Sequence, residues 1–373
     1  MSDSTDTSSR NTSPSALSSS DDMAHKPVSP LTSRLWGHVD GKEVRLYSLQ
    51  NRNGVKLVLS NYGASIIELW APDRHGKLAD IALGYPTLED YQRELASVGP
   101  VVGRYHNRIR NGRFELDGEP YQVSVNEGQH SLHSGLEFQK AVWQAQSFDS
   151  ERGPGLRLRY FSPDGSHGFP GNVTSTVTYI LTHDNEIDLH FYAEADRRTP
   201  LNFIQHAYFN LNGVSATVHD HIVRIDADNH AAYDKEALQT GRIESLRGQA
   251  FDLIEPTRIG DHFDDIALGG YHQTYLLNKE AGELKTVASV YEPVSGRTMD
   301  VATTSPSITF YVAMGLNNSV PGKYDIEYAP YKGFCLEAGY VPDSVNYAHF
   351  PSTIFGPDRP YDERVIFKLG VKQ

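Results

Sequence analysis

The chain is poor in the features that would announce most classes of function. Its 373 residues include one cysteine, Cys335, so no intramolecular disulfide framework exists and a reducing compartment is expected. Basic residues are scarce, with 34 Lys and Arg against 47 Asp and Glu and a formal charge of -13. Nucleic acid and anionic membrane surfaces both demand basic patches, so neither is an expected partner. A neutral small molecule, or one met by local cations, is. No apolar run is long enough to span a bilayer. The opening "MSDSTDTSSRNTSPSALSSSDDMAHKP" lacks the basic and apolar regions of a secretory signal, which makes a cytoplasmic location the expectation. That Ser/Thr/Asp-rich stretch has too little apolar surface to offset its ordering entropy. Residues 1–33 are therefore expected to be a disordered tail, and 34–373 a single domain. Also missing are a βαβ rhythm, a Gly-rich phosphate loop, heptads and internal repeats.

What the chain does have is period two. "EVRLYSL", "GVKLVLS" and "GLRLRYF" are short alternating runs. Asp117-Gly118 stands between two such runs, a strong hairpin signal because that pair accepts positive φ. Another pair of runs meets at Asp184-Asn185, with Val173, Val177, Tyr179 and Leu181 predicted on one face. Val365, Phe367, Leu369 and Val371 alternate at the C-terminal end. Helical signals are few; "TLEDYQRELASVG" predicts a short helix with Thr87 as N-cap and Asp90 reaching back. Many strands with turn punctuation predict an all-β fold, an antiparallel sandwich or barrel.

Three polar residues interrupt apolar runs. His206 stands in "NFIQHAYFNL", Glu337 in "GFCLEAGY" and His133 in "SLHSG". Buried glutamate is rare unless paired or functional. Taken alone, His206 reads first as a core histidine bonded to backbone and His133 as a loop cap, while Glu337 reads either as half of a buried ion pair or as a functional carboxylate. Arg104, Arg108 and Arg110 in "GRYHNRIRNG" read either as a solvated hairpin end or as a donor fork for substrate oxygens. His130 and His133 have H-x-x-H spacing but lack the helical H-E-x-x-H context that makes it specific, so no metal is expected. No G-x-S-x-G elbow is present. Cys335 shares a strand face with Glu337, but nothing marks its thiol as activated.

Read together, these stretches resemble the aldose 1-epimerase (galactose mutarotase) family. "NYGASIIELWAPDRHGKLADIALGYPTLEDY" is similar to its opening block, and "GRYHNRIRNGRFELDGEPYQVSVNEGQHSLHSG" to the block that follows. "GFPGNVTSTVTYILTHDNEI", "HAYFNLNG", "GFCLEAGYVPDSVN" and "FPSTIFGPDRPY" come next in family order. The resemblance implies a large antiparallel β-sandwich with few short helices and an open cleft for a free monosaccharide, without cofactor or metal. It also implies roles: Glu337 as general base, His206 as general acid, and Asn107, Arg108 and His133 holding the sugar. Tyr208, within "HAYFNLNG", and His272 are expected to line the same site. Departures gather there. Gln205 replaces the usual Asn, His272 a sugar-binding Asp, Thr309 a Gln, and Ala338-Gly339 the polar pair after the base.

Anomer exchange requires a base at the C1 hydroxyl and an acid at the ring oxygen. Glu337 should therefore be held ionised by donors or a cation, and His206 protonated by a nearby negative charge. Two alternatives remain open on sequence. A hexose-phosphate epimerase would need an anion site built from Arg104, Arg110 or His272. A silent sugar-binding protein on the same fold would need no proton-transfer pair. A glycosidase needs two carboxylates, and only one is well marked.

Overall fold

The computed structural model describes residues 31–94, 96–317 and 319–373. Nearly all of the expected tail lies outside these residues. The boundary differs from the expected one: the first strand, Leu31–Val39, begins three residues early, and Leu31, Thr32 and Ser33 pair with Leu49, Ser48 and Tyr47. Ladder pairing to a neighbouring strand supplies what their composition does not.

Three sheets carry the architecture, and all their strand pairs are antiparallel. One, with five strands, is the meander Leu31–Val39, Lys42–Gln50, Lys56–Ser60, Ser65–Pro72 and Leu78–Asp80. The nine-stranded sheet is not sequential: the C-terminal strand Tyr361–Val371 inserts between Glu186–Ala195 and Arg297–Thr303. The third, again of five strands, runs Gln239–Ser245, Asn229–Tyr233, His272–Leu276, Ser307–Tyr311 and Cys335–Gly339.

Local sequence explains these elements. Val173–Leu181 buries Val173, Val177, Tyr179 and Leu181 on alternate positions. Asp117 and Gly118 have φ of 56° and 82°, which a two-residue hairpin turn of the primed type needs at both centres. Thr87 caps the helix Leu88–Arg93 by accepting from the Asp90 amide at 3.2 Å. Lys42–Gln50 departs from simple alternation. Val44 and Leu46 enter one apolar cluster, and Tyr47 and Leu49 another, so this strand buries both faces.

The main core draws on all three sheets, joining Leu57 and Leu69 to Val177 and Leu189 and to Ile308 and Phe310. Each side chain so buried contributes about 1.5–3 kcal/mol. The second cluster packs Leu88 and Tyr91 of the short helix with Leu83, Tyr208 and Cys335, and so forms the floor beneath the site. Among the described residues no helix is long and apolar enough to cross a membrane.

Candidate active site

The strand Cys335–Gly339 is buried throughout and pairs on one side with Ser307–Tyr311, setting Glu337 opposite Thr309. Its other side meets the chain around the short strand Ile204–Gln205, which carries His206. The His206 amide donates to the Pro100 carbonyl at 2.9 Å, and its carbonyl accepts from Gly99, so backbone bonds on both sides fix the residue. A third segment comes from two left-handed positions, Asn107 at φ 57° and His133 at φ 51°. They lock each other. The Asn107 amide donates to His133 Nδ1 at 3.1 Å, and the His133 amide donates to the Asn107 carbonyl at 3.0 Å. Ser134, Gly135 and Leu136 continue in the left-handed region, which is costly for residues other than Gly and Asn and is a mark of functional loops.

These segments enclose a cavity of about 380 Å³, within the range typical of small-molecule sites. Asn107, Arg108, His133, His206, Tyr208, His272 and Glu337 all line it, so the structure brings every anticipated site residue to one place. Ser97, Tyr311 and Met314 line it too and escaped the sequence reading. Tyr311 had a signal, since it follows Thr309 by two in the same strand. A larger cleft of about 740 Å³ lies elsewhere, among Lys42, Arg45, Trp143 and Arg159; its lining has no histidine, and its one carboxylate, Glu43, is paired with Arg45 at 3.0 Å.

At the cavity wall His206 Nε2 stands 3.5 Å from Glu337 Oε1. On its other side His206 Nδ1 lies 3.7 Å from the Cys335 sulfur. Burial pushes the Cys335 thiol well above its ordinary range, so it remains S–H beside Nδ1. Nε2 is the ring nitrogen turned to the carboxyl. The His206 ring stacks on Tyr208 at 5.2 Å and meets His133 edge-on at 5.4 Å. The three donors His206, Cys335 and Glu337 lie within 4.8 Å of one another.

The charge states differ from those expected. Burial pushes Glu337 up to about 8 and His206 down to about 3. Among the described residues neither a cation nor a donor set holds Glu337 ionised, and low polarity favours the neutral carboxyl beside the neutral imidazole. Between those two values the two groups together hold one proton, on the carboxyl. Burial likewise lowers His133 and takes His272 to about 4.

Arg108 holds Glu127 through two parallel bonds of 2.5 and 2.7 Å, a fork-to-carboxylate grip that fixes the guanidinium at the cavity edge. The expected cluster with Arg104 and Arg110 does not exist. Arg104 is fully buried and spends its donors on Ser162 and the carbonyls of Ser162, Pro163 and Pro170. Arg110 pairs with Asp234 at 2.8 Å. Neither offers an anion site. Gln205 also differs from expectation: it faces away from the cavity and donates to the Tyr179 hydroxyl at 2.7 Å, so its length does not displace the His206 ring. Thr309 shares the sheet face of Glu337 but bonds Thr274 at 2.8 Å and does not reach the cavity wall. His272 lies in the cavity wall, stacked on Tyr233 at 5.3 Å.

An antiparallel β-sandwich with an imidazole and a carboxyl together at the wall of a small-molecule cavity defines a candidate acid–base site. Comparison with known proteins carries this further. Residues 45–368 match the family described as aldose 1-epimerase. The galactose mutarotase of Bos taurus is 36% identical over 330 residues, covering 88% of this chain and 94% of that protein. The aldose 1-epimerase of Escherichia coli K12 is 33% identical, covering 84% and 90%. A crystal structure of an aldose epimerase homologue from C. elegans superimposes with a TM-score of 0.82 at 25% identity, covering 88% of this chain and 99% of that one. The chain belongs to the aldose 1-epimerase family.

Proposed function

We propose that the chain interconverts the α and β anomers of a free aldohexose of the galactose or glucose type. Glu337 is the base and His206 the acid, while Asn107, Arg108, His133, Tyr208 and His272 hold the sugar. The observation that carries this reading is the 3.5 Å approach of His206 Nε2 to Glu337 Oε1 at the wall of a cavity lined by hydrogen-bonding groups. Glu337 takes the proton of the anomeric hydroxyl as the C1–ring-oxygen bond breaks, and His206 gives a proton to the ring oxygen. Rotation about C1–C2 presents the other face of the aldehyde, and closure reverses both transfers. The steps are proton transfers with no redox change, so the chemistry asks for no cofactor.

At the moment of ring opening the proton shared by the pair must sit on His206. Sugar hydroxyls donating to the carboxyl favour that arrangement, because hydrogen bonds to the charged form stabilise it. A cytoplasmic location goes with this reading and rests on the single thiol.

Polarimetry of α-galactose and α-glucose, with and without the protein, tests the reading. Glu337→Gln is expected to lower catalysed exchange by about 10²–10⁴-fold while calorimetry still records sugar binding. His206→Asn should lower turnover more than binding. Full exchange activity in Glu337→Gln would end the assignment.

A further inference from the structure

One buried group close to the carboxyl has no part in the reaction as written. His106 is fully buried, and its Nε2 donates to the Tyr340 carbonyl at 3.0 Å. That bond fixes the neutral tautomer, leaving a bare lone pair on Nδ1. Nδ1 has no hydrogen-bond partner among the described residues, and it stands 3.9 Å from Glu337 Oε2. The carboxyl thus lies between two imidazoles: His206 Nε2 faces Oε1, and the bare lone pair of His106 Nδ1 faces Oε2.

Room for this ring comes from one of the departures from the family pattern. A Cβ at Gly339 would lie 3.3 Å from His106 Nε2, 3.0 Å from Asn202 Oδ1 and 2.9 Å from Ile204 Cγ2. Asn202 is pinned in turn by donating to the Tyr340 carbonyl at 3.0 Å and accepting from its amide at 2.9 Å. A side chain at 339 would push into this fixed group and displace the imidazole.

We infer that His106 is a positioning residue for Glu337: its Nδ1 lone pair receives the carboxyl proton on Oε2, stabilises the acid form of the base, and fixes which oxygen holds the proton. The inference rests on Glu337 being the base. When the anomeric O–H breaks, the new O–H on Glu337 needs an acceptor in a site that burial has dried, and His106 closes the remaining gap to provide it. The proton returns to the sugar on ring closure, so nothing is consumed. Burial holds His106 at about 4, and it stays neutral and accepting across the working range. The other titratable groups facing Glu337 are His206, Cys335, Tyr208, Tyr233 and Tyr311. Burial keeps each of these neutral near pH 7. Arg108, whose charge acts on Tyr233 and Tyr311, is the cation of the cavity wall.

The test uses the full chain, polarimetric rates from pH 5 to 10, calorimetric sugar titration, and thermal melts to establish folding. His106→Ala should lower kcat about tenfold and leave KM within about twofold. It should move the alkaline limb of kcat/KM down by about one pH unit, because the acid form loses its acceptor. Two amides separate this role from mere anchoring. His106→Asn places an acceptor oxygen where Nδ1 stands, without reaching Tyr340. His106→Gln reaches the Tyr340 carbonyl but leaves no acceptor at Nδ1. Recovery of rate and pH limb by Asn and not by Gln supports the inference. Recovery by Gln alone, or an unmoved limb in all three variants, overturns it. Glu337→Gln run in parallel separates the two claims. If it keeps its activity, the base assignment has failed; if it is inactive while His106→Ala matches the wild type, only the present inference has.

Discussion

Burial of Glu337 should be measurable as a loss of stability at high pH. A carboxyl held at about 8 in the folded chain, against its ordinary 4.5, binds a proton in the native state where the unfolded state has lost it. Stability from this group is complete below 4.5 and declines as pH rises to 8, by about 1.4 kcal/mol per pH unit. The full effect is about 4–5 kcal/mol, a large part of a typical folding free energy. Glu337→Gln keeps the shape and removes the titration. Urea unfolding of both chains at pH 6 and pH 9 isolates the group, because the buried histidines contribute equally to each and cancel. The wild type should lose about 3 kcal/mol relative to the variant between those two values. A difference constant to within about 0.5 kcal/mol would refute the reasoning, since it would mean that Glu337 titrates alike in the folded and unfolded chain.

Three further outcomes follow from the geometry. Activity should hold a plateau near neutrality and fall above the value of about 8 at which the His206–Glu337 pair loses its shared proton; a profile still rising there, read from kcat/KM, would contradict the one-proton pair. Glu127→Ala frees the Arg108 guanidinium from its two-bond grip, and should raise KM about tenfold with kcat little changed, as measured by initial rates over a range of sugar concentrations. Tyr179→Phe removes a hydroxyl that donates to the Ala64 carbonyl at 2.8 Å and accepts from Gln205, and leaves both partners buried. A cost of about 1–3 kcal/mol is expected in denaturant unfolding, with no change in KM because neither group faces the cavity.

Much of the local structure was legible in the sequence because its causes are local. The two-residue period of Val173–Leu181, the turn at Asp117-Gly118 and the Thr87 cap each depend on residues within a few positions of one another. The seven anticipated site residues came from motifs rather than spacing, and they do meet in one cavity. What the sequence concealed depends on distant contacts. Nothing local tells that Arg104 is buried under Ser162 and Pro163 while Arg108, four residues on, reaches the cavity. The two-faced burial of Lys42–Gln50 and the insertion of the C-terminal strand into the middle of the large sheet are likewise settled by packing. Gln205 is the instructive intermediate case. Neighbours along a strand point to opposite faces, so a residue beside His206 was already the wrong one to reach the sugar.

The placement of Cys335 has a practical side. The chain's one thiol is sealed beneath the site, and its sulfur is held in the S–H form. Maleimides and iodoacetamides will therefore find no handle on the native molecule. A cysteine introduced on the exposed Glu236 or Leu268, at or beside the rim, would be the single labelling position, ready to carry a fluorophore that reports sugar occupancy without any prior removal of native thiols.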